Sequence, residues 1–321
     1  MQKTAYQRED FTSAAEVRWC PGCGDYAILA AIQKILPELG LAPEQHVFVS
    51  GIGCAGRLPY YMNTYGFHTI HGRALAIATG LKTMRDDLCV WVVTGDGDAL
   101  SIGGNHLLHC LRRNVNIKIL LINNQVYGLT KGQFSPTSPI GQVTKTSPHG
   151  VTTQAINPLL LALAAGASFV ARAVDKDPAQ LSVVLKQAYE HQGCAFIEIY
   201  QDCNIFNHGA FDGFALKGNR AANTVLLRAT EPLIFGADNE SALDLVGQQV
   251  KCVPSEQATL RHEPNNFDTA LTLAQLRFPE FPVPLGVYYQ AERPIFNFSP
   301  DVKRTINDLP ALYRARASWQ V

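Results

Sequence analysis

Two groups of residues in this chain have types and spacings suited to holding ions. The first is Gly95-Asp96-Gly97-Asp98, answered further along by Asn123-Asn124. A carboxylate, an amide oxygen and a few backbone carbonyls suit a hard cation such as Mg²⁺, which commonly brings a phosphorylated ligand with it. Gly95 and Gly97 let main chain approach that ligand as no residue with a Cβ could. The second group is Cys20-Pro21-Gly22-Cys23, with Cys54 in the glycine-rich run Gly51-Ile52-Gly53-Cys54-Ala55-Gly56 and Cys203 in Gln201-Asp202-Cys203-Asn204. A Cys-x-x-Cys suggests a redox pair, a zinc site or an iron–sulfur site. The redox pair needs a short βαβ context that is absent here. A cluster needs four thiolates, and Cys203, just past a buried-strand run, is the best fourth after Cys20, Cys23 and Cys54. Spacing does not separate zinc from a 4Fe–4S cluster, since either accepts four thiolates.

The elements around these residues read as an open parallel α/β sheet. Residues 90–94 and 117–122 are apolar, β-branched and without alternation, as in strands buried on both faces. In such a sheet ligands sit at the carboxyl ends of the strands, so Asp96 and Asn124 are expected in one crevice. The plainer reading is that the aspartate caps a helix starting near Ser101; the paired strand ends and the double asparagine weigh against it. Helices are expected over residues 25–36, 74–84, 99–113, 158–166 and 178–192, and further strands over 46–50, 168–174 and 195–200. That makes about five parallel strands by residue 203. Past Phe211 the pattern loosens, with short helical runs at 242–250 and 268–276. The expected division is a cofactor domain over 1–210 and an irregular C-terminal extension over 211–321, packed on that domain or on a partner.

Composition bounds the function. The chain has 321 residues, 47% hydrophobic and 17% charged, which leaves room for a sizeable core. Its net charge is zero, so there is no nucleic-acid footprint. Residues 1–16 lack an apolar signal core, and no apolar run is long enough to span a bilayer, so a cytoplasmic, membrane-free protein is expected. Eight cysteines in that compartment argue for metal or cluster use over disulfides. Cys89, Cys110 and Cys194 are assigned to packing. His68, His71 and Arg73 crowd a loop beside the expected site of the phosphorylated ligand, where donors suit phosphate oxygens. Lys131 stands in a long, turn-rich loop above it, and loops of that kind often carry function.

Gly-Asp-Gly closed by Asn-Asn resembles the metal-diphosphate motif of thiamine diphosphate enzymes. With Trp-Cys-Pro-Gly-Cys-Gly at 19–24, Gly-Ile-Gly-Cys at 51–54, Asn-Thr-Tyr-Gly at 63–66, His-Gly-Arg-Ala at 71–74, Val-Tyr-Gly-Leu-Thr-Lys-Gly-Gln at 126–133 and Pro-Val-Pro-Leu-Gly-Val at 282–287, nearly the whole chain resembles the β-subunit of two-subunit 2-oxoacid:ferredoxin oxidoreductases. The resemblance implies one 4Fe–4S cluster on Cys20, Cys23, Cys54 and Cys203, and Mg²⁺ on Asp96, Asn124 and the Val126 carbonyl. It implies thiamine diphosphate against Ile52, Gly53, Cys54, Ala55, His71, Arg73, Gly95, Gly97, Asp98, Gly128 and Leu129. Ala55-Gly56 departs from the small hydroxyl residues common in the family, which removes a side-chain contact to the cofactor. The activity implied is coenzyme A-dependent oxidative decarboxylation of a 2-oxoacid, or its reverse, with electrons going to a separate ferredoxin. The glutamate that activates the aminopyrimidine belongs to the family's α-subunit, so a partner, in an assembly of two αβ pairs, is expected. Arg57 and Lys131 on opposite walls favour 2-oxoglutarate, whose distal carboxylate prefers a cation; pyruvate or broad 2-oxoacid use is the runner-up. Two other classes are a non-oxidative thiamine-dependent decarboxylase or synthase, with no use for four cysteines, and a zinc-stabilised binding module.

Overall fold

The computed structural model describes residues 5–247 and 249–296. In chain order the elements are α1 (Asp25–Ile35), β1 (His46–Ser50), β2 (Tyr65–His68), α2 (Ala74–Met84), β3 (Cys89–Gly95), α3 (Gly104–Arg113), β4 (Lys118–Asn123), β5 (Val126–Tyr127), β6 (Gln133–Phe134), α4 (Pro158–Ala164), β7 (Phe169–Val174), α5 (Pro178–Glu190), β8 (Ala195–Tyr200), α6 (Asp212–Ala215), α7 (Lys217–Asn223), β9 (Thr224–Leu227), β10 (Ile234–Phe235), β11 (Ser241–Val246), β12 (Gln249–Pro254), α8 (Phe267–Gln275) and β13 (Val283–Gln290).

The main sheet has eight strands in the order β2-β1-β3-β4-β8-β7-β13-β9. The five strands expected from the sequence are its centre, and every pairing among them is parallel. Helices cover both faces, as apolar strands without alternation require. Ile28, Ile32, Leu181 and Leu185 of α1 and α5 bury against one face, and Leu75, Leu107, Leu159 and Leu273 of α2, α3, α4 and α8 against the other. Among the described residues no helix is long and apolar enough to cross a membrane.

Four features depart from expectation. Residues 65–68 are a parallel edge strand beside β1 and not part of a loop. The helix expected over 99–113 is broken: a π-type turn at Asp98–Ile102 precedes α3, with Ser101 outside helical backbone geometry. The reason is that the Asp98 side chain accepts hydrogen bonds from Ile52 N, Gly72 N and Thr94 Oγ1, which draws the turn toward those loops. The stretch 242–250 is not helical. It forms the β11–β12 hairpin, turned at Gly247, whose φ of 69° suits a glycine. Finally, β13 lies inside the main sheet, antiparallel to β7 and parallel to β9.

A buried ion pair helps fix that last placement. Arg172 on β7 donates through Nε to Glu198 Oε2 on the adjacent β8 at 2.7 Å, and through a terminal nitrogen to the Tyr288 hydroxyl on β13 at 3.0 Å. Glu198 Oε1 accepts from Asn123 Nδ2 at 2.7 Å, so the pair also reaches the end of β4. Removing one partner of a buried pair strands the other charge. Arg172→Met is therefore expected to lower unfolding free energy by about 3–5 kcal/mol, read from chemical denaturation; a loss below about 1 kcal/mol would show that the pair does not hold the sheet.

Candidate functional site

Four neighbouring strands, β1, β3, β4 and β8, end at one rim, and each is followed by one of the residues singled out above. Cys54 follows β1, Asp96 follows β3, Asn124 follows β4 and Cys203 follows β8. Register aligns the last three, with Gly95 opposite Ile122 and Asn123 opposite Tyr200. The Cys-x-x-Cys turn arrives from the N-terminal side of α1. Gly22, at φ 84°, shapes it, Cys23 N donates to Cys20 O at 3.0 Å, and Trp19 Nε1 donates to Cys54 O at 2.8 Å.

Two cavities open on this rim. One, of about 180 Å³, is lined by all four of Cys20, Cys23, Cys54 and Cys203, together with Arg57 and Lys131. The other, of about 150 Å³, is lined by Ile52, Gly53, Cys54, Ala55, His71, Gly95, Asp96, Gly97, Asp98, Asn124, Val126, Gly128 and Leu129. Cys54, Asn124, Gly128 and Leu129 border both. A Cβ built on Gly128 would lie 3.6 Å from Cys203 Sγ and 3.7 Å from Cys54 Sγ, so both sulfurs face the shared wall. Among the described residues no three histidine, cysteine or acidic side chains converge tightly enough for a single metal ion.

Burial sets the protonation of these groups. It pushes the Cys54 thiol up to about 12, with Asp25 and Cys203 adding to the effect, and it raises Cys23 as well. Without a cation the thiols stay protonated; a metal-bound thiol is deprotonated outright. Asp96 is buried, and burial pushes its carboxyl up to about 6 against the downward pull of two hydroxyls. Those hydroxyls, Ser135 Oγ and Thr137 Oγ1, each donate to Asp96 Oδ2 at 2.5 Å. Thr137 Oγ1 also lies 2.9 Å from Asn123 Oδ1.

The two asparagines differ in role. Asn123 Oδ1 accepts from Gln125 N and its amide is spent on Glu198, so it builds the turn. Asn124 Oδ1 accepts Val126 N at 3.2 Å and no other donor among the described residues, and a carbonyl oxygen has a second lone pair to offer. The Asp98 carboxylate is occupied by protein donors, among them His71 Nδ1 at 2.5 Å, so it presents main chain to the cavity and holds the loops on either side. His71 keeps Nε2 for the cavity. His68 binds Ser50 Oγ and Gly56 O, which is the loop-holding role. Arg73 does not join the lining residues; its guanidinium rests on the His71 and Ile102 carbonyls. Arg57 does line the cysteine cavity, and its Nε is buried with no hydrogen-bond partner among the described residues. Cys110 and Cys194 are core residues, as expected for packing cysteines.

Residues 51–199 match the family model of the thiamine pyrophosphate enzyme C-terminal TPP-binding domain. The 2-oxoglutarate oxidoreductase subunit KorB of Mycobacterium tuberculosis is 51% identical over 296 residues, covering 90% of this chain and 79% of that one. The chain belongs to the KorB-type β-subunit family of 2-oxoacid:ferredoxin oxidoreductases. The β-subunit of 2-oxoacid:ferredoxin oxidoreductase 2 from Aeropyrum pernix is 46% identical over 199 residues, 62% of this β-subunit and 64% of that one. A solved 2-oxoglutarate:ferredoxin oxidoreductase from Magnetococcus marinus, with 2-oxoglutarate, coenzyme A and succinyl-CoA bound, superposes with a TM-score of 0.76 at 31% identity, covering 98% of this chain and 97% of that chain.

Ser135 and Thr137 carried no motif signal, yet they hold the buried carboxylate. Outer partners of this kind typically matter 10–100-fold in metal affinity. Thr137→Val is expected to weaken Mn²⁺ binding in the presence of thiamine diphosphate by about that factor, with Thr137→Ser close to the parent. Equal affinities in all three proteins would contradict the positioning role.

Proposed function

We propose that this β-subunit, joined to an α-subunit, catalyses coenzyme A-dependent oxidative decarboxylation of 2-oxoglutarate to succinyl-CoA and CO₂, or the reverse, exchanging electrons with ferredoxin. The observation that carries the reading is the shared wall: a cavity lined by four cysteines and a cavity with a buried carboxylate have Cys54, Asn124, Gly128 and Leu129 in common. Two αβ pairs per assembly complete the proposal.

In this reading Cys20, Cys23, Cys54 and Cys203 hold a 4Fe–4S cluster. Asp96, Asn124 and the Val126 carbonyl hold Mg²⁺, and thiamine diphosphate lies along Gly53–Ala55, Gly97 and Gly128. The fit rests on donor chemistry and on the cradle. The Gly53 φ of 137° suits a glycine and a Cβ there would meet nothing within 4 Å, so main chain stays open at that turn, while the Tyr127 ring packs where a Gly97 Cβ would stand and so requires glycine there. When bound, thiamine diphosphate supplies the carbon nucleophile and electron sink for decarboxylation, and a cluster carries single electrons.

The protein's own residues then divide the work. Ser135 and Thr137 keep the Asp96 carboxylate turned to the cation. His71, fixed by Asp98 at Nδ1, offers Nε2 to hold or accept a proton at the cofactor. Arg73 keeps the His71 loop in place from behind. Arg57, unpartnered at Nε, supplies positive charge for the distal carboxylate of 2-oxoglutarate, with Lys131 bordering the same cavity. The Aeropyrum pernix relative, named only for 2-oxoacids, favours a second, broader reading in which pyruvate is also used.

Arg57 separates the two. A hydrogen-bonded charge pair contributes about 1.5–3 kcal/mol, so Arg57→Leu is expected to raise the apparent KM for 2-oxoglutarate roughly 10- to 100-fold and leave pyruvate nearly unchanged. Equal effects on both substrates would remove the basis for 2-oxoglutarate. The complex isolated anaerobically is expected to contain iron, sulfide and thiamine together. Zinc without thiamine would replace this reading by a binding module, and thiamine without iron by a non-oxidative enzyme.

A further inference from the structure

Gln201 lies between the two proposed cofactor sites and touches a ligand of each. It follows β8 and is 1% exposed. Its Nε2 is 3.2 Å from Cys23 Sγ and 2.6 Å from the Asp202 carbonyl, and its Oε1 accepts from Asn124 Nδ2 at 2.9 Å. The orientation of both amides follows from the backbone. The Asp202 carbonyl only accepts, so the Gln201 atom facing it is the NH₂ group. Val126 N–H only donates, so the Asn124 atom facing it is the oxygen, which leaves Asn124 Nδ2 for Gln201. Gly24 keeps the room: a Cβ there would lie 3.0 Å from Gln201 Cγ and closer still to Asp175.

We infer that Gln201 is a positioning residue serving both sites at once, its amide N–H raising the reduction potential of the cluster through the Cys23 sulfur and its amide oxygen holding Asn124 toward the cation. The inference rests on the two-cofactor reading above. Hydrogen bonds to cluster sulfurs are among the determinants of potential, because they draw off charge that the reduced form carries in greater amount. Outer partners that orient a ligand set cation affinity in the same way. One side chain therefore couples electron acceptance to the seating of the cation beside it.

The test uses the αβ complex isolated anaerobically, as wild type and as Gln201→Met, which keeps side-chain length and loses both polar atoms. Iron content, an EPR-monitored redox titration and Mn²⁺ affinity in the presence of thiamine diphosphate are measured on each. The variant is expected to hold its iron and to be harder to reduce by about tenfold in equilibrium constant, which is 59 mV for a one-electron couple. Mn²⁺ binding is expected to weaken about tenfold. An unchanged potential, or unchanged Mn²⁺ affinity, in an iron-containing variant would overturn the inference. Wild type without iron would instead overturn the two-cofactor reading. If the variant loses its iron, the decision passes to wild type carrying ¹⁵N in glutamine side chains. Pulsed EPR of the reduced cluster should then show coupling to an amide nitrogen, and its absence would overturn the inference.

Discussion

The site depends on adjacent parallel strands ending at one level. Parallel pairing puts every carboxyl end on the same rim, and the order β1-β3-β4-β8 sets four such ends side by side. Residues separated by more than a hundred positions, such as Cys54 and Cys203, thereby face one wall. Each turn then needs only one or two donors of its own. The arrangement has a cost: carboxylates, amides and thiols must leave water together, and each needs a partner there. Asp98 meets that requirement with loop amides and His71, Asp96 with two hydroxyls, and Asn123 with Glu198 and the Gln125 amide.

Burial holds the Cys54 thiol and the Asp96 carboxyl above their ordinary ranges. Both shifts favour the protonated forms, and both would reverse on binding cations, which release protons as they bind. The sign is plain: affinity for a metal ion should rise with pH through the region where Asp96 loses its proton. Arg18, Arg57 and Lys131 border the cysteine cavity, and among the described residues no lysine or arginine lines the other. Arg57 is unpartnered at Nε, and Arg73 is spent on carbonyls.

Much of this was legible in the sequence. Unbroken apolar strands, glycine-rich turns and the Cys-x-x-Cys spacing marked the central sheet and the candidate ligands directly, because each reflects a local requirement. The supporting residues were not legible. Ser135 and Thr137 sit in a Ser/Thr/Pro-rich loop like many others, and Gln201 is an ordinary amide at a strand end. Their roles arise from contacts between distant segments, which no local pattern records. The same limit hid β13, which enters the sheet between β7 and β9 although it is the last strand among the described residues. The β11–β12 hairpin stands where a helical run is expected, because a single glycine at 247 fits an interrupted helix or a hairpin turn until its backbone angle is known.

The central claim is that two cofactors lie against one wall, and Gly128 is the residue that tests it. A Cβ there meets the Cys54 and Cys203 sulfurs at ordinary contact distances, so Gly128→Ala should fold, whereas the branched valine adds bulk at the wall that borders both cavities. The measurement is iron, acid-labile sulfide and thiamine diphosphate in one anaerobic sample of the Gly128→Val complex, with Gly128→Ala as control. Joint loss of iron and thiamine diphosphate is the result this account predicts. A valine variant that loses one and keeps the other at the wild-type level would contradict it.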